Sequence, residues 1–290
     1  MGARASDPLD AGTDPGGATG PNDAAGRDLP TGSDAHASLG RRERSRRRIL
    51  TELKAAALDE VREVGAPALA LRSVARRAGM SPAGLYRYVE SRDGLLTWLI
   101  ADGYDDLADH LDVAIGRVIE RETEASASVP YVAGPDAGPA ARMTAVALAY
   151  RGWAVDHPHE FGLIFGDPVP GYVAPPDGPT VVAMSRVGLA LATPVIEAFE
   201  VGGLTIPPTM TATGLADAVR PMEALAPDLP SELYLLLLAM WGRLHGQVSL
   251  EVFGHHAWLF PDGCEVLYRA DVAALIADLG LDTAADCSGS

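Results

Sequence analysis

Leu71-Arg72-Ser73-Val74-Ala75-Arg76-Arg77-Ala78-Gly79-Met80-Ser81-Pro82-Ala83-Gly84-Leu85-Tyr86-Arg87-Tyr88-Val89 contains two short helical patterns with a break between them. Val74 and Ala78, four apart, give the first pattern an apolar face. Gly79 follows, where a left-handed turn would strain any residue that carries a β-carbon. Ser81 and Pro82 then make an N-cap and first-position pair that opens the second pattern. Leu85 and Val89, again four apart, give it an apolar face of its own. Two short helices joined by a glycine turn on a third, supporting helix form a helix-turn-helix, whose second short helix enters the DNA major groove.

The flanking residues supply the support. Upstream, Ile49, Leu50, Leu53, Ala57, Leu58, Val61 and Val64 recur at three- and four-residue spacing and predict an amphipathic helix that Gly65 ends. Downstream, Ser91 caps a long fourth helix that starts near Arg92, with an apolar stripe of Leu95, Leu96, Leu99, Ile100, Leu107, Leu111, Ile115 and Val118. With Leu85 and Val89 turned to the support, Ser81, Ala83, Gly84 and Arg87 are left toward DNA. Gly84 lets backbone come close, Ala83 suits a thymine methyl, and Arg87 reaches guanine or a phosphate. Tyr86, Tyr88 and Arg92 are expected to hold phosphates, which position without reading sequence, and Arg72 joins the candidate contacts. Within the run Arg41-Arg42-Glu43-Arg44-Ser45-Arg46-Arg47-Arg48, Arg46 and Arg47 are candidates for an arm reaching the minor groove; a solvated helix start is the competing reading.

The charge distribution agrees with a DNA-binding module. The 290-residue chain has 23 basic and 39 acidic residues, a net −16, which alone argues against a polyanion partner. Between Arg41 and Arg92, however, there are 13 Lys or Arg and 6 Asp or Glu, leaving 10 basic and 33 acidic residues elsewhere. A basic module on an acidic body keeps the remaining surface away from DNA.

From Leu71 to Leu96 the chain resembles the tetracycline-repressor (TetR) family of one-component regulators nearly position for position. The likeness combines the Gly79 turn, the Leu85-Tyr86 pair, an aromatic at Tyr88, and a basic residue before Leu95-Leu96. Ala70 stands where that family usually has a capping Ser or Thr, Val89 replaces the usual Phe, and Arg92 the usual Lys. The segments Tyr150 to Phe161, Phe165 to Tyr172 and Trp241 to Glu251 resemble an actinobacterial TetR effector-domain subtype named for its Trp-His-Gly residues. The resemblance implies a homodimer, an effector cavity in the C-terminal domain, and release of operator DNA when a small molecule binds.

The body is expected to be all-α, with helices at about 140–156, 157–165, 179–200, 215–225, 231–254 and 265–279, because no region alternates at period two. The expected organisation is a disordered tail over 1–40, a helix-turn-helix domain over 41–92, an effector and dimerisation domain over 93–280, and a second tail over 281–290. Residues 231–255 are apolar nearly all round, so one face is expected on its own domain and the other on a second copy; Leu237, Leu244, Val248 and Val252 are the candidate interface. Trp153, Phe161, Phe165, Met184, Met222, Met240, Trp241 and His245 are candidates for the effector site, with ordinary core as the alternative for each. His157 and His159, and separately His255, His256, Asp262 and Cys264, show no complete metal-ligand pattern. No metal or other cofactor is expected. There is no nucleophile elbow, Walker loop or zinc-protease motif, so no enzyme activity is expected. The longest apolar run near the C-terminus, Leu233 to Trp241, falls short of the roughly 20 residues a membrane span needs. No basic segment followed by an apolar one opens the sequence, and the 2 cysteines form no framework, which points to the cytoplasm.

Overall fold

A computed structural model of the chain describes residues 32–128, 138–207 and 229–281. The described residues form nine α-helices and one 3-10 turn, with no strand: α1 (Gly32–Val64), α2 (Leu71–Arg77), α3 (Pro82–Leu85), α4 (Arg92–Ser128), α5 (Gly138–Asp156), α6 (Pro158–Phe165), α7 (Pro179–Glu200), α8 (Ser231–Val252) and α9 (Glu265–Asp278), the 3-10 turn being Ala66–Ala68. The all-α expectation holds among the described residues, and from α5 onward the helix ends fall within a few residues of their predicted places. The helix expected at 215–225, with Met222, lies outside the described residues, as do 1–31 and 282–290.

The chain divides into two compact units, Met1–Arg48 and Ile49–Ser290. In the first, the helix begins at Gly32, nine residues inside the stretch expected to be a tail. Ala35, Ala37 and Leu39 are good helix formers, and a helix nucleated further along propagates through such residues at little cost. Residues 43–48 of this helix are all exposed, and Arg47 pairs with Glu43 one turn back at 3.3 Å.

The second unit has two hydrophobic cores. One gathers Leu53, Ala57 and Val61 of α1, Val74 and Ala75 of α2, Leu85 and Val89 around α3, and Leu95, Leu96 and Leu99 of α4. The first two turns of α4 thus contribute Leu95, Leu96 and Leu99 to the core under the helix-turn-helix. A further member, Val169, comes from the loop between α6 and α7. The other core joins the rest of α4 to α5, α6, α7, α8 and α9 around Leu107, Leu111, Tyr150, Trp153, Phe161, Val195, Leu244 and Val248. α7 alone among the described helices is long and apolar enough to cross a membrane, and its Ala183, Val187, Ala190, Leu191, Val195 and Ala198 are buried in this core.

Candidate nucleic-acid interface and effector site

The helix-turn-helix is built from local signals. α2 starts at an N-cap, Ala70, whose side chain offers no hydrogen bond, as expected from the alanine there. It ends in a Schellman closure: Gly79 at φ +65 donates to the Arg76 carbonyl at 3.2 Å, and Met80 N–H donates to the Ala75 carbonyl at 2.9 Å. Ser81 Oγ then accepts from Gly84 N–H at 3.1 Å and caps α3, and Ser91 Oγ accepts from Gly94 N–H at 3.0 Å and caps α4. α3 is shorter than expected. It stops at Leu85, and Arg87 and Tyr88 close a tighter turn through bonds to the Gly84 and Leu85 carbonyls at 3.3 and 2.9 Å. Such i→i+3 bonds tighten a last turn, here just before the chain reverses at Glu90-Ser91 to enter α4.

Buried Leu85 and Val89 fix α3 against the core, and Ser81, Ala83, Tyr86 and Arg87 are left exposed, Tyr86 at 56%. Arg87 and Arg72 are both exposed, and neither makes an ion pair among the described residues. Gly84 is partly buried under the Ser81 cap, and a β-carbon there would sit 3.3 Å from Ser81 Oγ. The Tyr88 ring is half-buried on the core, which makes it part of the framework. Arg77, in contrast, turns inward to pair with Glu60 at 2.6 Å and with Glu63. Hydrogen bonds from Arg77 and Ser73 hold the Glu60 carboxyl below its ordinary range.

Arg92 makes contacts that the sequence reading did not anticipate. Its guanidinium donates to the carbonyls of Leu69 (Nε, 3.1 Å), Ala66 (Nη2, 2.9 Å) and Pro67 (Nη2, 2.9 Å), and Nη1 lies 3.5 Å from Asp93. These bonds clamp the 3-10 turn between α1 and α2. The planar fork of an arginine spans three acceptors that a lysine ammonium could not reach together. Arg46 and Arg47 lie on the helical segment ahead of Ile49, so over these residues the expected arm is a helix.

The second constellation is aromatic. Phe161 and Phe165 of α6 meet Trp241 and His245 of α8 and Tyr150 of α5. The His245 ring stacks on Trp241 (4.8 Å, 16°) and Phe161 (5.7 Å, 28°), and Phe165 meets it edge-on at 4.9 Å. His245 Nδ1 lies 2.7 Å from the Tyr150 hydroxyl and Nε2 lies 3.2 Å from Ser249 Oγ. Burial lowers the His245 pKa and raises that of Tyr150 well above its ordinary value, which favours a neutral imidazole beside a neutral phenol, with one ring nitrogen on Tyr150 and the other on Ser249. Phe165, Trp241 and His245 are half-buried, and Tyr150 and Phe161 lie fully beneath them. The result is a partly open aromatic surface around one neutral hydrogen-bonding relay.

Four of the described effector candidates, Phe161, Phe165, Trp241 and His245, therefore come together, and three do not join the ring contacts. Trp153 is buried with its indole N–H donating to Asp106 at 2.7 Å and its ring stacked on His157. Met184 is exposed on α7, and Met240 is a core residue. Tyr150 is a member that sequence reasoning missed; a polar-tipped aromatic three residues before Trp153 on an apolar helix is the signal that could have found it. On α8, Leu244 and Val248 are 1% and 0% exposed within their own chain, so they are not available to a second copy. Leu237 and Val252 are half-buried on the same core. The large apolar side chains that α8 and α9 leave exposed are Leu238, Leu250 and the adjoining Phe253, and Val266 and Leu267. Among the described residues no three His, Cys, Asp or Glu side chains are placed to hold a metal ion.

Comparison with known proteins follows the same division. The family described as bacterial regulatory proteins, tetR family, matches residues 53–97, and that described as tetracyclin repressor-like, C-terminal domain, matches residues 143–275. The HTH-type transcriptional regulators Mb1846 of Mycobacterium bovis and Rv1816 of Mycobacterium tuberculosis are each 31% identical over 244 residues, covering 83% of this chain and 96% of the relative. The crystal structure of SCO4313 superposes with a TM-score of 0.60 at 30% identity, over 81% of this chain and 98% of that one.

Proposed function

The chain belongs to the TetR family of helix-turn-helix transcriptional regulators, and from that premise we propose that it is a homodimeric repressor released from its operator by a small molecule. The observation that carries the DNA half is the pairing of an exposed Tyr86 and Arg87 with a buried Leu85 and Val89 on a capped, clamped turn. That arrangement holds two polar side chains outward at a fixed angle. In a two-fold dimer joined through the exposed apolar side chains of α8 and α9, two such segments would meet successive major grooves roughly 34–36 Å apart on a palindromic operator.

The effector is expected to bind on the aromatic surface of Phe161, Phe165, Trp241 and His245. Release follows if it prefers the conformation in which the two DNA-binding segments no longer match that spacing. The coupling is the difference in its affinity for the two states. The test is selection of random duplexes by the purified protein, alongside a Tyr86→Ala/Arg87→Ala double variant. Enrichment of a two-fold symmetric motif that the variant loses supports the reading, and equal enrichment by both sinks it. A thermal-shift screen of small molecules, repeated on Trp241→Ala, tests the second half: a ligand at 100 times its Kd adds about 2.7 kcal/mol. A stabilising compound that also displaces the duplex makes the protein a ligand-released repressor. A duplex that no compound displaces makes it a constitutive DNA-binding protein.

A further inference from the structure

We infer that the loop between α6 and α7 is a latch that holds the helix-turn-helix in its DNA-binding geometry, with Val169 and Tyr172 as positioning residues. Val169-Pro170-Gly171-Tyr172 is a β-turn in which Tyr172 N–H donates to the Val169 carbonyl at 3.0 Å and Gly171 takes φ +76. Proline at the second place and a left-handed glycine at the third are the type II signature. The turn lies outside the DNA-binding sequence, yet Val169 is 8% exposed as a member of the core that also holds Leu53, Val74 and Leu85. Tyr172 and Leu163 pack against that core.

The Tyr172 hydroxyl lies 3.0 Å from Thr97 Oγ1. Thr97 gives its one hydroxyl proton to the Asp93 carbonyl at 2.9 Å, so Tyr172 is the donor. Thr97 is on the second turn of α4, just after Arg92, whose clamp fixes the entry to α2. A second tie comes from α6 itself, where the almost fully buried Glu160 pairs with Arg62 of α1. The same eight-residue helix carries Phe161 and Phe165 into the aromatic surface. Its seat on α4 is close: a β-carbon on Gly103 would lie 3.0 Å from Ile164, and the Tyr104 hydroxyl donates to the Ile164 carbonyl at 2.9 Å. Any rearrangement that displaces Phe161 and Phe165 therefore pulls on Val169 and Tyr172 four to eleven residues later in the chain. The inference rests on reading residues 71–92 as the DNA-binding element.

Hydrogen exchange by mass spectrometry on the full chain tests it, with Tyr172→Phe, Val169→Ala and Gly171→Ala, and Val173→Ala as control because Val173 is 84% exposed. Gly171→Ala strains the turn without touching a neighbour, since nothing lies within 4 Å of a β-carbon built there. The expected result is exchange about 3- to 10-fold faster over residues 71–89, with α5, α8 and the control unchanged. Exchange within 2-fold of the parent in folded variants, or an equal rise in α5 and α8, overturns the latch. The second readout is affinity for a duplex enriched by selection: a fall of similar size on that duplex, and less than about 2-fold on random duplex, is expected of a positioning role. Faster exchange with unchanged affinity for the enriched duplex overturns it. Should Val169→Ala not fold, the two milder variants decide. Should no duplex be enriched, the DNA-binding reading fails while the exchange result still decides the latch.

Discussion

Replacing Arg92 by alanine separates a structural clamp from a phosphate contact. The side chain makes three hydrogen bonds to carbonyls of the turn between α1 and α2, at 2.9 to 3.1 Å. Hydrogen bonds from a charged donor contribute about 1.5–3 kcal/mol each, and neutral ones about 0.5–1.5. Because Arg92 keeps 29% of its side-chain surface exposed, water can re-solvate the abandoned carbonyls, which discounts each bond to about 0.7–1.3 kcal/mol, within the range of neutral bonds. A loss of about 2–4 kcal/mol follows for the set. In a unit of this size each kcal/mol lowers Tm by about 2–4 °C, so Arg92→Ala should melt roughly 4–16 °C below the parent by circular dichroism. Arg92→Lys, which keeps the charge but not the fork, should fall between them. The dependence of DNA affinity on salt, measured well below the melting range, should keep its slope, since a cation that neutralises one phosphate adds about 0.9 to it. An Arg92→Ala protein that melts with the parent but whose slope is shallower by that increment refutes the clamp and puts the guanidinium on DNA.

Three further outcomes follow from the same geometry. Arg87→Ala should weaken binding to the enriched duplex by roughly 10- to 100-fold, and to random duplex far less, if Arg87 reads a base; Tyr86→Phe should weaken both about equally, and a competition assay distinguishes the two. Leu238→Arg/Leu250→Arg, at two exposed positions of α8, should halve the mass seen by light scattering while leaving helicity unchanged, whereas Leu244→Ala should cost about 2–5 kcal/mol of stability and leave the mass alone; a monomeric Leu244→Ala would reverse the assignment. Between pH 7.5 and 5.5 stability should fall, because the buried His245 resists protonation in the fold while the unfolded chain takes up the proton near pH 6.5. The carboxylates held low, Glu60, Glu251 and Glu265, lose their contribution only below about pH 4.5, so His245→Gln should flatten the drop in that window. An unchanged pH profile in that variant removes the histidine as its source.

The fold was legible wherever a local rule decides the backbone. Gly79 ends α2, Ser81-Pro82 starts α3 and Ser91 starts α4, because turns and caps depend on residues only a few places apart. The site was legible in residue type more than in partner. Arg92 reads in sequence as one more cation beside a basic helix, since nothing in a sequence shows three carbonyls gathered from Ala66, Pro67 and Leu69. α8 is apolar on all sides, so periodicity could not say which leucines face inward; Leu233, Leu236, Leu244 and Val248 do, and Leu238 and Leu250 do not. Phe161, Phe165, Trp241 and His245 were identifiable as flat or polar groups on apolar helices. Tyr150 and the relay it forms with His245 depend on contacts 95 residues apart.

Val169 also sets where this regulator can be cut and rejoined. Consider a hybrid that transplants the N-terminal DNA-reading segment of this chain onto a foreign ligand-sensing body, with the seam early in α4. Here such a graft would carry Leu53, Val74, Leu85 and Leu99 but leave behind the valine that fills the space among them and the tyrosine that hydrogen-bonds Thr97. The recipient body would therefore need to supply a turn of matching length, shape and donor, or the graft would have to bring residues 163–172 with it.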